Sequence, residues 1–264
     1  MFNPFNIFIP LLLNPLTNLL LLFYHVATGL GLAGQLGWSI ILLTILVRIV
    51  LLPFYSAQMR HQKRMTELKP HLDALKKKYG HDRRRHQEEQ MKLYRETGFN
   101  PAGGCLPALV QILLLPGFYY SLWPLFNEGI EAARAHLNSV AYSSSLQVAT
   151  LNLEFFGLNL AHAPNSGMLL LIPIVTGFFQ FILAKMTQIP SGPKGESQGF
   201  AEAVAGTQSS MIYVFPLMIA YFSFILPLGL ALYWNTTTIF AIIQQYLIAG
   251  SGGLSSWLPK KLRR

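Results

Sequence analysis

The sequence predicts an all-α, polytopic membrane protein with five transmembrane helices, its N-terminus outside and its C-terminus inside, plus a cytoplasmic helical hairpin. Three observations lead there. Of 264 residues, 52% are hydrophobic and only 12% are charged, against roughly 25% charged in an ordinary globular domain. So few charges cannot cover a soluble protein of this size, and most of the apolar side chains must face lipid. Next, the chain holds five apolar runs close to the ~20 residues that cross a bilayer core about 30 Å thick. Finally, the 20 Lys and Arg behind the net charge of +9 gather on one side of those runs.

Residues 1–35 carry no Lys, Arg, Asp or Glu, so the basic start of a cleavable signal peptide is missing. Pro4, Pro10 and Pro15 divide the segment, and Thr17 to Thr28 is short for a crossing. An interfacial helix on the outer face is expected, with a sixth, poorly formed span as the rival. Residues 36–55 form transmembrane helix 1. Residues 56–104 form the cytoplasmic hairpin, with 12 basic and 6 acidic side chains. In its first helix Met65, Leu68, Leu72, Leu75 and Tyr79 recur at alternating spacings of three and four, a seam for a partner helix. Pro70 marks a kink or a helix start. Gly80-His81-Asp82 joins the two helices, with Asp82 placed to cap the second. That second helix offers the weaker face of Met91, Leu93 and Tyr94.

Residues 105–126 form transmembrane helix 2, 127–165 an extracytoplasmic loop, 166–186 transmembrane helix 3 and 187–209 a cytoplasmic loop. Residues 210–226 and 228–249 form helices 4 and 5, separated at Pro227-Leu228-Gly229 because one apolar stretch is too long for a single span. Pro107, Pro116, Pro124, Pro173 and Pro216 lie in or near spans, where neighbouring helices satisfy the carbonyls that a proline frees. A basic tail, 250–264, ends the chain. With this arrangement 18 of the 20 basic residues fall inside and one, Arg134, outside, as the positive-inside rule requires. The remaining one, Arg48, sits within a span.

The residue inventory excludes most chemistry. The lone Cys105 makes no disulfide within the monomer. His61, His71, His81 and His86 have no Cys beside them, and no pair stands at i, i+4 with an acidic neighbour, so neither a metal site nor another cofactor is expected. There is no phosphate loop, no nucleophile elbow and no intramembrane carboxylate pair, and the chain is not expected to be an enzyme. Lys76, Lys77, Lys78, Arg83, Arg84 and Arg85 form a recruitment surface suited to anionic lipid, ribosomal RNA or an acidic partner, without reading a specific nucleic-acid sequence. The other reading is a solvated loop that only sets topology.

Arg48 stands about 4 Å to the inner side of mid-membrane on the helical rise. An arginine at a span centre costs about 2.5–3.5 kcal/mol on translocon scales, and no Asp or Glu lies in any of the five runs to pair with it. Gln111, Gln180, Gln244 and Gln245 fall toward the inner half of their spans, and the fifth span adds Asn235, Thr236, Thr237 and Thr238. A hydrated groove open to the cytoplasm, with Arg48 as its fixed charge, accommodates all of them. Snorkelling of Arg48 to the inner headgroups, with the amides bonded between helices, is the alternative. The client-binding set is Arg48, Gln111, Gln180, Asn235, Thr237, Thr238 and Gln244. Such a cavity suits an acidic segment entering from the cytoplasm, whose apolar part then slides between helices into lipid.

The stretch Gly37-Trp38-Ser39-Ile40-Ile41-Leu42-Leu43-Thr44-Ile45-Leu46-Val47-Arg48, ending Leu51-Leu52-Pro53, resembles the first core span of the YidC/Oxa/Alb membrane protein insertases. Met65 to Pro70, Leu93-Tyr94 with Gly98, Asn100-Pro101, Gly104-Cys105-Leu106-Pro107 and Gln111 follow in that family's order and spacing. Gly229-Leu230 through Tyr233-Trp234 to Gln244-Gln245 is similar to its last core span, and the likeness runs from about residue 15 to 249. It implies an energy-independent insertase and chaperone in the plasma membrane of a bacterium. Arg48 would receive acidic or polar client segments, and the hairpin would recruit clients. The partners implied are nascent membrane proteins, the ribosome and signal recognition particle pathway, the lipid bilayer and the Sec translocon. Thr238 stands where the family usually has Asn, with Asn235 one turn earlier, and Leu228 replaces a small residue before Gly229. The large preceding domain of Gram-negative members and the lipid-attachment Cys of many Gram-positive ones are not seen, and the short tail argues against strong ribosome tethering. The rival function, a small-molecule transporter or lipid scramblase using the same groove, would be expected to show internal repeats and broken midplane helices; no convincing repeat relates the halves.

Overall fold

Proline starts the first helix. The computed structural model describes residues 11, 13–100, 128–165, 167–188, 200–255, 257 and 259, and α1 runs from Asn14 to Gly29 with Pro15 in its first turn, where a missing N–H costs nothing. Thr17, Leu20, Leu21, Tyr24 and Ala27 are buried while Leu22 and Val26 stay exposed, the pattern of a helix packed on one side. Its partner is α2, Gln35–Val50. α2 follows a left-handed Gly34, φ 78°. Among the described residues, α3 (Leu52–Tyr79) and α4 (Arg83–Glu96) come next, then α5 (Ile130–Ser139), a short hairpin of β1 (Glu154–Phe155) and β2 (Leu158–Asn159), α6 (Leu171–Met186), α7 (Phe200–Ile225) and α8 (Leu228–Ala249). The chain is thus mostly helical among these residues.

Several boundaries differ from those read in the sequence. The run 36–55 is broken at Leu51, where α2 ends and α3 begins. α3 passes straight through Pro70, since only one intrahelical bond is lost there and the flanking residues are strong helix formers. α7 starts at Phe200, well before the apolar run at 210, because Ala201-Glu202-Ala203 sustains a helix without being apolar throughout. Gly167–Met186, which joins a 3-10 turn to α6, is the one unbroken helix among the described residues long and apolar enough to cross a membrane, and α2 with α3 passes the same test as a broken pair. Met168, Leu171, Ile174 and Phe178 of that segment are exposed, as are Tyr213, Leu217 and Tyr221 of α7. Apolar exposure on this scale marks a surface that lipid covers.

The chain divides into two compact units. The first comprises residues 1–51, 109–177 and 219–240. Its core joins Leu20, Leu21, Leu36, Ile40, Leu43, Leu137, Phe155, Leu160, Tyr233 and Trp234. Three polar side chains stitch the loop after α5 in place, each pairing a backbone donor with a backbone acceptor. Asn18 donates to the Val140 carbonyl at 2.8 Å and accepts from the Tyr142 N–H at 2.7 Å. Asn138 does the same at Val148 (3.0 and 2.9 Å). The Tyr24 hydroxyl donates to the Thr150 carbonyl and accepts from the Asn152 N–H. An irregular segment is ordered this way because its backbone groups are not left unpaired.

The hairpin turns through Phe156 (φ 50°) and Gly157 (φ 77°), two left-handed residues as a tight hairpin requires; the conformation costs an aromatic residue roughly 1–2 kcal/mol. A Cβ on Gly37 would run into the Phe155 ring, so that glycine lets the hairpin lie on α2. Beyond β2, the His162 and Leu160 carbonyls accept from the Leu228 and Gly229 N–H groups, both at 2.9 Å, which satisfies orphan donors at the start of α8.

The second unit comprises residues 52–108, 178–218 and 241–264. Asp82 caps α4, accepting from the Arg85 N–H at 3.1 Å. Met65, Leu68, Leu72, Leu75 and Tyr79 are all half-buried. On α4, Tyr94 is buried and Leu93 half-buried, but Met91, one turn before Tyr94, is exposed. The hairpin is closed at its root by Phe99, stacked on His61 at 4.5 Å and beside Tyr94 at 5.3 Å.

Candidate functional site

Arg48 is only 7% exposed. Its Nε donates to Thr237 Oγ1 at 2.8 Å, across 189 residues of sequence. α2 supplies the arginine from its last turn, and one turn earlier on the same face Thr44 is buried with its hydroxyl returned to the Ile40 carbonyl at 2.6 Å. That local bond satisfies the hydroxyl within its own helix. The Arg48 side chain meets α8 at mid-helix, which fixes one edge of the guanidinium.

Asn235 is placed differently. Its Nδ2 donates to Thr176 Oγ1 of α6 at 2.8 Å and to the Ala231 carbonyl at 2.9 Å, while its Oδ1 is buried without a hydrogen-bond partner among the described residues. Thr236 returns its hydroxyl to the Leu232 carbonyl. Thr238 is buried. Within the first unit, then, Arg48 joins Thr237, and Asn235 joins Thr176. Gln180, Gln244 and Gln245 belong to the second unit, and each is buried. Gln244 is 4% exposed, yet neither its Nε2 nor its Oε1 has a partner among the described residues. A buried amide with both ends open is costly unless water or another chain supplies the bonds. Gln111 and the Arg83 side chain lie outside the described residues.

The recruitment residues are a surface rather than a pocket. Lys77, Lys78, Arg84 and Arg85 are exposed and Lys76 half-buried. Arg84 pairs with Glu88 at 3.1 Å, one turn along α4. Lys78 and Arg85 both stand over the Tyr79 ring, at 5.1 and 5.2 Å, so a tyrosine gathers two cations at the hairpin's turn. Near its root, burial and then the Arg64 charge hold the His61 imidazole below its ordinary pKa. No cluster of three metal-ligating side chains occurs among the described residues.

The sequence reading missed the hydroxyls. Thr176, Thr44, Ser39 and Ser223 are all buried, and Ser223 Oγ has no partner among the described residues. Thr44 precedes Arg48, and Thr176 precedes Gln180, by one helical turn. That spacing was the available signal, since i and i+4 share a face.

The family profile described as "60Kd inner membrane protein" matches residues 28–252. The chain is 33% identical over 219 residues to the membrane protein insertase YidC of Fusobacterium nucleatum, covering 83% of this chain and 88% of that protein. It is 32% identical over 214 residues to the corresponding protein of Caldanaerobacter subterraneus, covering 81% and 85%. With the protein of that name from Ectopseudomonas mendocina it shares 31% identity over 218 residues, 83% of this chain but 31% of that longer one.

Proposed function

Because this chain belongs to the 60Kd inner membrane protein family, the YidC/Oxa/Alb insertases of bacterial cell membranes, we propose that it takes client segments into a hydrophilic groove open to the cytoplasm and to lipid, and releases them into the bilayer. Its clients are nascent membrane proteins. It works as insertase and chaperone, alone or beside the Sec translocon, on chains delivered by ribosomes and the signal recognition particle pathway. The topology that serves this has the N-terminus outside, the C-terminus inside and the α3–α4 hairpin in the cytoplasm as the recruiting surface. The groove set is Arg48, Gln111, Gln180, Asn235, Thr237, Thr238 and Gln244.

One observation carries the reading: a guanidinium at 7% exposure, held by a threonine hydroxyl rather than turned to solvent. A charge kept there has a use that offsets its desolvation. An opposite charge about 4 Å away is attracted by about 4 kcal/mol at an effective dielectric of 20, against about 1 kcal/mol in water. A client carboxylate therefore gains on entry, while no covalent step is needed. Clients leave sideways, because the apolar part of the segment prefers lipid to a polar groove.

Proteoliposomes containing only this protein should insert a short single-span client with an acidic outer tail well above empty liposomes. Arg48→Ala should lower that insertion about 10- to 100-fold, the worth of one charge-assisted hydrogen bond. If Arg48→Ala and Arg48→Lys both leave every client unaffected, the groove mechanism is wrong.

A further inference from the structure

The β1–β2 hairpin ends in an unusual residue. Phe156 is the one non-glycine residue with positive φ among those described, and it is 79% exposed. Turn positions of this kind favour Asn, Asp or Gly, which tolerate the left-handed conformation or hydrogen-bond locally. An aromatic ring there is disfavoured twice, by its backbone and by its exposure to water. Its chain neighbour Phe155 behaves as a core residue, buried on Gly37. The two ring centroids are 4.7 Å apart with the planes at 73°, and the Trp38 and Phe156 rings also meet edge to face, centroids 6.4 Å apart.

The hairpin's position gives that ring a partner. Phe155 and the Glu154 carbonyl crowd Gly34 and Gly37 in the first turn of α2, and the carbonyls that follow β2 receive the first N–H groups of α8. The hairpin thus lies across the N-terminal ends of two apolar helices of a membrane protein, and the ends of membrane-crossing helices stand where a bilayer gives way to water. Side chains with an apolar body collect at that level. Glu154 is exposed two residues before Phe156, and a carboxylate so near keeps the tip shallow, since it must remain hydrated. Leu22 and Val26 of α1 and Leu30 at its C-cap form an exposed apolar row within the same unit, continuous in character with a lipid-facing surface.

We propose that Phe156 is a lipid anchor: the hairpin tip inserts its ring into the bilayer interface at the N-terminal ends of α2 and α8, with Trp38 beside it. The occupant of this patch is phospholipid at the glycerol and upper acyl level, not a protein and not the client. The anchor holds the hairpin against the membrane and fixes the height of α2. It requires that the chain be a membrane protein, and it stands whether or not the groove mechanism is correct.

A spin label tests it directly. In the full chain with Cys105→Ser, a nitroxide at Phe156→Cys in proteoliposomes should collide more with oxygen, which concentrates in lipid, than with a water-soluble nickel chelate. The same label at Ser144→Cys, exposed in the serine turn of the same unit, serves as the aqueous reference, and the oxygen-to-nickel ratio at position 156 should exceed it severalfold. A ratio equal to the reference overturns the anchor, and so does a label shielded from both reagents, because protein would then cover the ring. Phe156→Trp gives a second reading that leaves the cysteine background untouched: its added emission should be quenched by lipids brominated near the glycerol end more than by those brominated near the chain end. No added quenching by either overturns the proposal as well.

Discussion

Arg48 and Arg84 carry the same guanidinium in two very different settings. Arg48 is 7% exposed and bonded to a hydroxyl of a helix 189 residues away. The Arg84 side chain is 92% exposed and paired with Glu88 one turn along its own helix. The first unit is an apolar core in which an unanswered polar group is costly, and Asn18, Tyr24 and Asn138 are answered by backbone. The α3–α4 hairpin keeps most of its charges in water, where an ion pair is worth little. What a charge contributes is therefore set by how much water the fold leaves around it, and a count of arginines does not reveal it.

That contrast can be tested by substitution. The largest effect after loss of Arg48 itself belongs to Thr237→Val, which removes the acceptor and keeps the shape. Leaving a buried charged donor without its partner should destabilise the protein by about 1.5–3 kcal/mol, read as a lowered midpoint of thermal unfolding, and should reduce insertion of acidic-tailed clients in part. An unchanged midpoint would mean that other groups, not Thr237, hold the guanidinium.

Gly37→Ala comes next. The new methyl would occupy the place of the Phe155 ring, and overpacking of this kind costs about 1–3 kcal/mol. The companion Phe155→Ala should lessen the penalty of Gly37→Ala in a double-mutant cycle. Additive effects would mean that the two do not meet.

A smaller effect is expected at His61. Its folded pKa lies below the ordinary 6.5 because of burial and then Arg64, so between the folded pKa and 6.5 the unfolded chain binds more protons. Stability of the hairpin root should rise with pH through that window and fall as the pH drops below about 6.5. Amide exchange at residues 90–99 should show faster opening at pH 5.5 than at 7.5 after correction for the intrinsic rate. His61→Phe, which keeps the stack on Phe99, should abolish the difference. The smallest effect is that of Arg84→Ala, expected to move stability by less than about 0.5 kcal/mol. A larger change would break the comparison, because it would make an exposed ion pair structural.

Much of the fold was legible in the residues themselves. The Asp82 cap is a local pattern, and the structure has it; the residues from Met65 to Tyr79 expected as a seam are half-buried. Hydrogen bonds within four residues and side chains on one helical face depend only on a fixed helical period, which a sequence displays directly. Met91 shows the limit of that rule: it shares a face with the buried Tyr94 one turn on, yet is exposed, because burial depends on what packs against the helix.

By itself the sequence determined that this is a membrane protein, where its charges cluster and which single arginine lies within an apolar run. It also carried the motifs by which the insertase family is recognised. Only the tertiary structure decided that Thr237, among four consecutive polar residues, meets Arg48, that Asn235 turns instead to Thr176, and that Phe155 packs on Gly37 while Phe156 is left outside. Each of these depends on how one helix is rotated and shifted against another. That is settled by the packing of the whole unit, because no residue's local preference distinguishes between neighbouring positions on a helix whose faces are all apolar.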